Sequence, residues 1–199
     1  MSTSITYGTL AELKDRLDIE STETTHDQIL GAVLEAASRA IDGICGWRFY
    51  TTTSDETRYY TGEWGDQFFC DDPIVSITTL KTDDDGDRTY DETWTTDDYD
   101  PMPYNAATDN RPYTWLEVTP NGDYTFPTSR KGIQIVGKFG WPELPSAIKD
   151  ATLLLAEKIF SRKDAIFGVM GSPELGTLRE IVKNDPELMI LLAPYKRLL

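Results

Sequence analysis

Residues 137–165 read GKFGWPELPSAIKDATLLLAEKIFSRKDA and pass from strand character to helix character. Just upstream, Ile133, Ile135, Val136 and Phe139 read as a strand, which Gly140-Trp141-Pro142 ends. Pro145 suits a first helical position, where its missing N–H would have had no partner. Ala147 to Lys163 then holds neither Gly nor Pro. Apolar residues at Ile148, Ala151, Leu155 and Ile159 keep helical spacing, and Leu153, Leu154, Ala156 and Phe160 widen the stripe beyond half the circumference. So broad a stripe needs cover from other elements or from a neighbouring subunit. Asp150, Glu157, Arg162 and Lys163 are left for the solvent side.

Upstream, residues 1–8 read as a loose arm. Thr9 and Glu12 fit a capping box opening a short helix with Leu10, Leu13 and Leu17 inward. Thr25 and Gln28 are a second capping-box candidate, opening a longer helix to about Cys45. Its apolar positions include Ile29, Val33, Ala36, Ala37, Ala40, Ile41 and Ile44, and the alanines would admit another helix closely. Gly43 and Gly46 suit a helix end. From Arg48 to Phe139, β formers are punctuated by turn formers. Strands are predicted at Thr57–Tyr60, Gln67–Cys70, Val75–Lys81, Thr114–Val118 and Gly132–Phe139, with Asp83–Asp87 as a hairpin turn and Thr96–Arg111 as an excursion at the sheet edge. Downstream, Gly168, Gly171, Pro173 and Gly176 predict a mobile segment, and Leu178–Val182 a single helical turn. Asp185-Pro186-Glu187 is a helix start, and Pro194 a stop.

The chain has 199 residues, enough for one domain or a domain with a large insertion. Its net charge of -15 argues against nucleic-acid binding, which needs clustered Lys and Arg, and against anionic membrane surfaces. No apolar run is long enough to span a membrane, and MSTSITYGTL lacks the pattern of a signal peptide. Cys45 and Cys70 make no disulfide framework and read as reduced, buried thiols.

Chemistry finds little purchase. Asp83, Asp85 and Asp87 alternate like the first ligands of a calcium loop, but Gly86 stands fourth where the loop needs its glycine sixth, and position twelve is Trp94. Asp97, Asp98 and Asp100 form a second acidic cluster. His26 is the one histidine, and Cys45 on the inner side of a helix is a poor partner for it, so a nucleophilic triad is not expected. No Cys-x-x-Cys pair offers a zinc site, and Gly137-Lys138 follows no phosphate loop. Tyr59, Tyr60, Trp64, Trp94 and Trp115 suit a sheet face or a subunit interface better than a sugar groove. We expect no enzyme, no catalytic residues, no metal and no cofactor.

Near the C-terminus, Leu188, Met189, Leu191 and Leu192 are four large apolar residues in five positions and need a partner surface. Tyr195 and Arg197 are of types enriched at interface hot spots. These six are the candidate assembly residues. The chain's own helices are one possible partner for them, another protein the other.

The segment 137–165, followed by LLAPYKRLL at 191–199, resembles the C-terminal half of the head–tail connector (adaptor, or head-completion) proteins of tailed bacteriophages. The matching positions are Phe139, Gly140, Pro145, Ile148, Ala151, Phe160, Arg162, Leu192, Pro194, Tyr195 and Lys196. The N-terminal order resembles that family too: short helix, acidic loop, Ala-rich helix, then Trp47-Arg48-Phe49. The resemblance implies a structural virion protein at the head–tail junction, made in the host bacterial cytoplasm. It implies a homo-oligomeric ring of about twelve subunits under the portal protein, holding a tail or stopper/tail-terminator protein and extending the DNA channel. DNA would pass without specific binding, and the C-terminal segment would dock on the portal.

The expected fold class is α+β, a small helical bundle of N-terminal helices plus a long C-terminal helix, with a β-rich insertion in the middle. The expected divisions are 1–47, N-terminal helices; 48–140, the β-rich insertion; 141–167, a long core helix; and 168–199, a mobile C-terminal assembly segment. The alternative function is a β-rich carbohydrate- or calcium-binding module framed by helices.

Overall fold

The computed structural model describes residues 5–63, 65–165 and 185–197. It divides into two compact units, Tyr50–Glu143 and Met1–Phe49 with Leu144–Leu199. The predicted mobile segment, the turn at Leu178–Val182, and Trp64, Leu198 and Leu199 lie outside the described residues.

The first unit is an antiparallel sheet of β1 (Glu56–Tyr60), β2 (Gln67–Thr82), β3 (Glu92–Trp94), β4 (Tyr99–Met102), β5 (Tyr113–Val118) and β6 (Ile133–Phe139). Strands run in the order β1-β6-β2-β5-β4, with β3 also paired to β2. The 16-residue β2 pairs with β5 in its first part (Phe68 opposite Leu116) and with β6 in its second (Leu80 opposite Ile135). Register shifts between Phe69 and Ile74, and again between Ile77 and Thr79, mark bulges, which bend a strand and increase its twist. Ile133, Ile135 and Phe139 are buried at alternate positions of β6, the period of a sheet with one inner face. They join Phe68, Ile74, Leu80, Trp94, Leu116 and Phe126 in one core. Trp94 stacks on Phe126 with ring centres 4.6 Å apart and donates its indole N–H to Thr82 Oγ1 at 3.0 Å. Gly140, just past β6, holds φ +112°, and a Cβ there would lie 1.6 Å from the Tyr50 carbonyl oxygen.

The second unit holds α1 (Leu10–Arg16), α2 (Asp27–Cys45), α3 (Ser146–Ala165) and α4 (Pro186–Leu192). Thr9 and Glu12 form the predicted capping box. The second predicted box does not form: His26 is the N-cap of α2 and makes no side-chain cap, while the Thr25 amide donates to Glu23 Oε1 at 2.8 Å. Gly46 closes α2 in the left-handed conformation. Leu30, Leu34, Ala37 and Ala40 of α2, and Ile148, Ala151 and Leu155 of α3, are buried, and the two helices pack together. The N-terminal approach is fixed by Tyr7, whose amide donates to Ser38 Oγ at 3.1 Å and whose hydroxyl donates to Asp42 and accepts from the Phe49 amide at 2.8 Å. Burial first, then the Asp42 carboxylate, push the Tyr7 phenol above its ordinary range. Lys14 is 4% exposed, ion-paired with Asp27 and donating to the Glu23 carbonyl at 2.6 Å.

These observations correct the expected fold class. Among the described residues there are four helices and a six-stranded antiparallel sheet with its own core, not a helical bundle with a long C-terminal helix; in sequence the sheet unit lies between the two parts of the helical unit. The longest helix, α3, has twenty residues, and the last, α4, has seven. The sheet is no appendage, because its aromatic and aliphatic core closes within Tyr50–Glu143. The two strands predicted at Gln67–Cys70 and Val75–Lys81 are one, since Asp71-Asp72-Pro73 is absorbed at a bulge and does not turn the chain. Thr96–Arg111, expected as an excursion at the sheet edge, supplies the edge strand β4, paired with β5.

Two substitutions test this architecture. Leu155, fully buried in α3, should not tolerate Leu155→Asp: about 1.5–3 kcal/mol of burial is lost and a carboxylate is stranded inside. A soluble variant with unchanged melting would contradict the packing described. Gly140→Ala should cost about 1–3 kcal/mol or more through the left-handed backbone and the Tyr50 clash, read as a melting point lower by several degrees.

Candidate assembly surfaces

The six C-terminal candidates divide by burial. Asp185 starts α4 by accepting the Glu187 amide at 3.1 Å and the Leu188 amide at 3.3 Å on Oδ1, with its Oδ2 ion-paired to Lys158 of α3. Leu188 and Leu192, one helical turn apart, are fully buried. Met189 and Leu191 are half-buried, and Ile190, absent from the predicted set, is 74% exposed. Tyr195 meets Phe49 edge to face at 6.0 Å. Arg197 lies over the Trp47 ring at 5.0 Å and donates its amide to the Cys45 carbonyl at 2.8 Å. Within this unit, Leu188 and Leu192 therefore fix the helix while residues 189–191 form its outer side. Lys158 first, then the capped amides, hold the Asp185 carboxyl below the usual carboxylate range against the opposing effect of burial.

A second surface lies on the sheet unit. Phe69 of β2 stands opposite Trp115 of β5 with ring centres 6.0 Å apart, and Trp115 stands opposite Met102 of β4. Phe69 is 57% exposed and Tyr104, just past β4, is 66% exposed. The neighbouring row is Gln67, Glu117 and Asp100, with Gln67 Nε2 donating to Glu117 Oε1 at 3.1 Å. Strand alternation could have marked Phe69 as outward, since Phe68 and Cys70 point in.

The chemical candidates stay apart or are used structurally. Asp83, Asp85 and Asp87 are the one close group of potential metal ligands among the described residues. Asp83 accepts the Gly86 amide at 2.8 Å and the Arg88 amide at 2.9 Å; Asp85 accepts the Asp87 amide, and Asp87 the Thr89 amide. Each carboxylate thus shapes the β2–β3 turn. Asp98 binds the amide and hydroxyl of Thr95, both at 2.7 Å. His26 packs edge to face on Phe160. Burial pushes the Cys45 and Cys70 thiols each up to about 12, far from the thiolate a nucleophile needs. No described helix is long and apolar enough to cross a membrane.

No protein-family profile and no curated protein matches the chain. Solved structures do share its fold. A chain in the neck of an empty gene transfer agent (GTA) particle, computed with C6 symmetry, matches at 20% identity and TM-score 0.56, covering 99% of this chain and 92% of its own. A chain of the native GTA virion matches at 21% identity and TM-score 0.54 with the same coverage. A chain in the native GTA neck, computed with C12 symmetry, matches at 20% and 0.52, covering 96% and 90%. The shared fold spans nearly all of each chain.

The Asp185 cap carries a pH dependence of known sign. A depressed folded pKa stabilises above the unfolded value, about 3.9, and that contribution is lost as pH falls through the folded value. Protection factors at the Leu188 and Leu192 amides, taken against the intrinsic rate at each pH, should therefore fall below about pH 4. Asp185→Ala should produce the same loss of protection at neutral pH, at a cost of about 0.5–2 kcal/mol. Unchanged protection in Asp185→Ala would show that the cap does not hold α4.

Proposed function

We propose that the chain is a structural subunit of the neck of a phage-like particle, at the junction of head and tail. The observation that carries this is the fold shared with GTA neck chains over 99% of this chain. In this reading about twelve copies close into a ring through repeated head-to-tail contacts. The ring sits under the portal protein, continues the DNA channel and receives a tail or stopper/tail-terminator protein. The protein is made in the bacterial cytoplasm and ends in the virion, with no membrane and no catalysis in its task.

Charge placement supports a channel role. The sheet unit holds nineteen acidic and seven basic residues, so most of the net charge of -15 lies there. An acidic wall repels phosphates, and DNA slides past without being held. The portal-facing surface is assigned to the C-terminal segment. Leu188 and Leu192 anchor α4, so that Met189, Ile190 and Leu191, with Tyr195 and Arg197 beside them, form the contact.

Co-sedimentation with portal rings from the same particle tests this. The full chain should travel with the rings. The double variant Met189→Asp, Ile190→Asp, which leaves Leu188 and Leu192 in place, should melt normally yet stay behind. A full chain that never joins portal rings would refute the neck assignment. A variant that binds as well as the native chain would move the contact away from α4.

A further inference from the structure

We propose that the outer face of β2, β5 and β4 is a docking surface for a basic protein segment, one presenting an aromatic or aliphatic side chain between lysines or arginines. The solvent face of an antiparallel sheet is ordinarily polar. Here Phe69, Trp115 and Met102 form an unbroken apolar row across three strands, with Phe69 57% exposed. Tyr104 extends it, donating its hydroxyl to Asp100 Oδ2 at 3.3 Å. Exposed aromatic patches of this kind mark contact sites.

The surroundings select the occupant. Glu117 and Asp100 form the adjoining row, and Asp71 is exposed on the same strand as Phe69. Residues 67–74, β5 and β4 contain no Lys or Arg. An apolar row beside Glu117 and Asp100, on strands without Lys or Arg, is complementary to an apolar side chain flanked by cations. In a two-fold contact of this face with a second copy, the same carboxylates would meet face to face. Nucleic acid and anionic lipid are repelled outright. Strand addition is disfavoured, because edge strand β4 carries Pro101, which donates no backbone hydrogen bond. Recognition therefore works through side chains on the face. This inference goes beyond the neck assignment and does not depend on it.

The test uses the full chain and a fluorescein-labelled peptide alternating Lys with Leu and Phe, read by anisotropy at low and moderate salt. A second peptide, with Glu in place of each Lys, is the control. The Lys peptide should bind and the Glu peptide should not. Phe69→Ser should weaken binding about tenfold or more, and Glu117→Gln should weaken it measurably, both with unchanged melting. Equal binding to Phe69→Ser would reduce the effect to general attraction by an acidic protein and overturn the proposal, as would no binding at all. Sedimentation velocity supplies the remaining arm: self-association abolished by Phe69→Ser would give the face to a second copy and refute the basic partner.

Discussion

Strand β2 is bonded on both sides, to β6 along one edge and to β5 and β3 along the other. The sheet unit depends on this sharing. Phe68 from its first part and Leu80 from its second both enter a core with Trp94 and Phe126. The long strand also explains the acidic turn at its end. The Asp83 amide donates to the Gly132 carbonyl at 2.8 Å, and its carboxylate collects two turn amides, so the turn is pinned to the start of β6. Carboxylates that resemble a metal loop in sequence are occupied in folding the hairpin.

The helical unit is held by a different balance. Its core is Leu, Ile and Ala, and its ends are tied by polar contacts. Tyr7 links the N-terminal approach to α2 and to the Phe49 amide, while Asp185 links α4 to α3. Exposed pairs such as Arg16–Glu157 at 2.6 Å contribute little by comparison. α4 has a buried side and an outer side, so the same seven residues are anchored and still present a surface.

Much of this was legible from residues alone. Capping chemistry located α1 and α4, because Thr9–Glu12 and Asp185-Pro186 satisfy orphan amides locally. The helical stripe located α3, and period-two alternation located β6. The architecture was not legible. Asp71-Asp72-Pro73 carries turn composition, yet the strand continues through it, because the bulge lets Pro73 forgo a ladder bond while its carbonyl accepts the Gly140 amide at 2.8 Å. Strand β4 hid in Tyr99-Asp-Pro-Met102, where local propensity is poor and pairing with β5 decides. The sheet's own core did not show in the short strands and polar turns, because it is formed by contacts distant in sequence. For α4, sequence found the apolar cluster but not its orientation. Leu188 and Leu192 look no different from Met189 and Leu191 until α3 is set beside them.

Native-state hydrogen exchange of the full chain measures the central structural claim most directly. A self-supporting sheet predicts that the amides of Leu80, Leu116 and Ile135 are among the slowest in the protein, opening only with global unfolding, while those of α4 exchange through local opening. Exchange of β2 and β6 well before α2 and α3 would contradict it, and would make the sheet dependent on the helical unit for its stability.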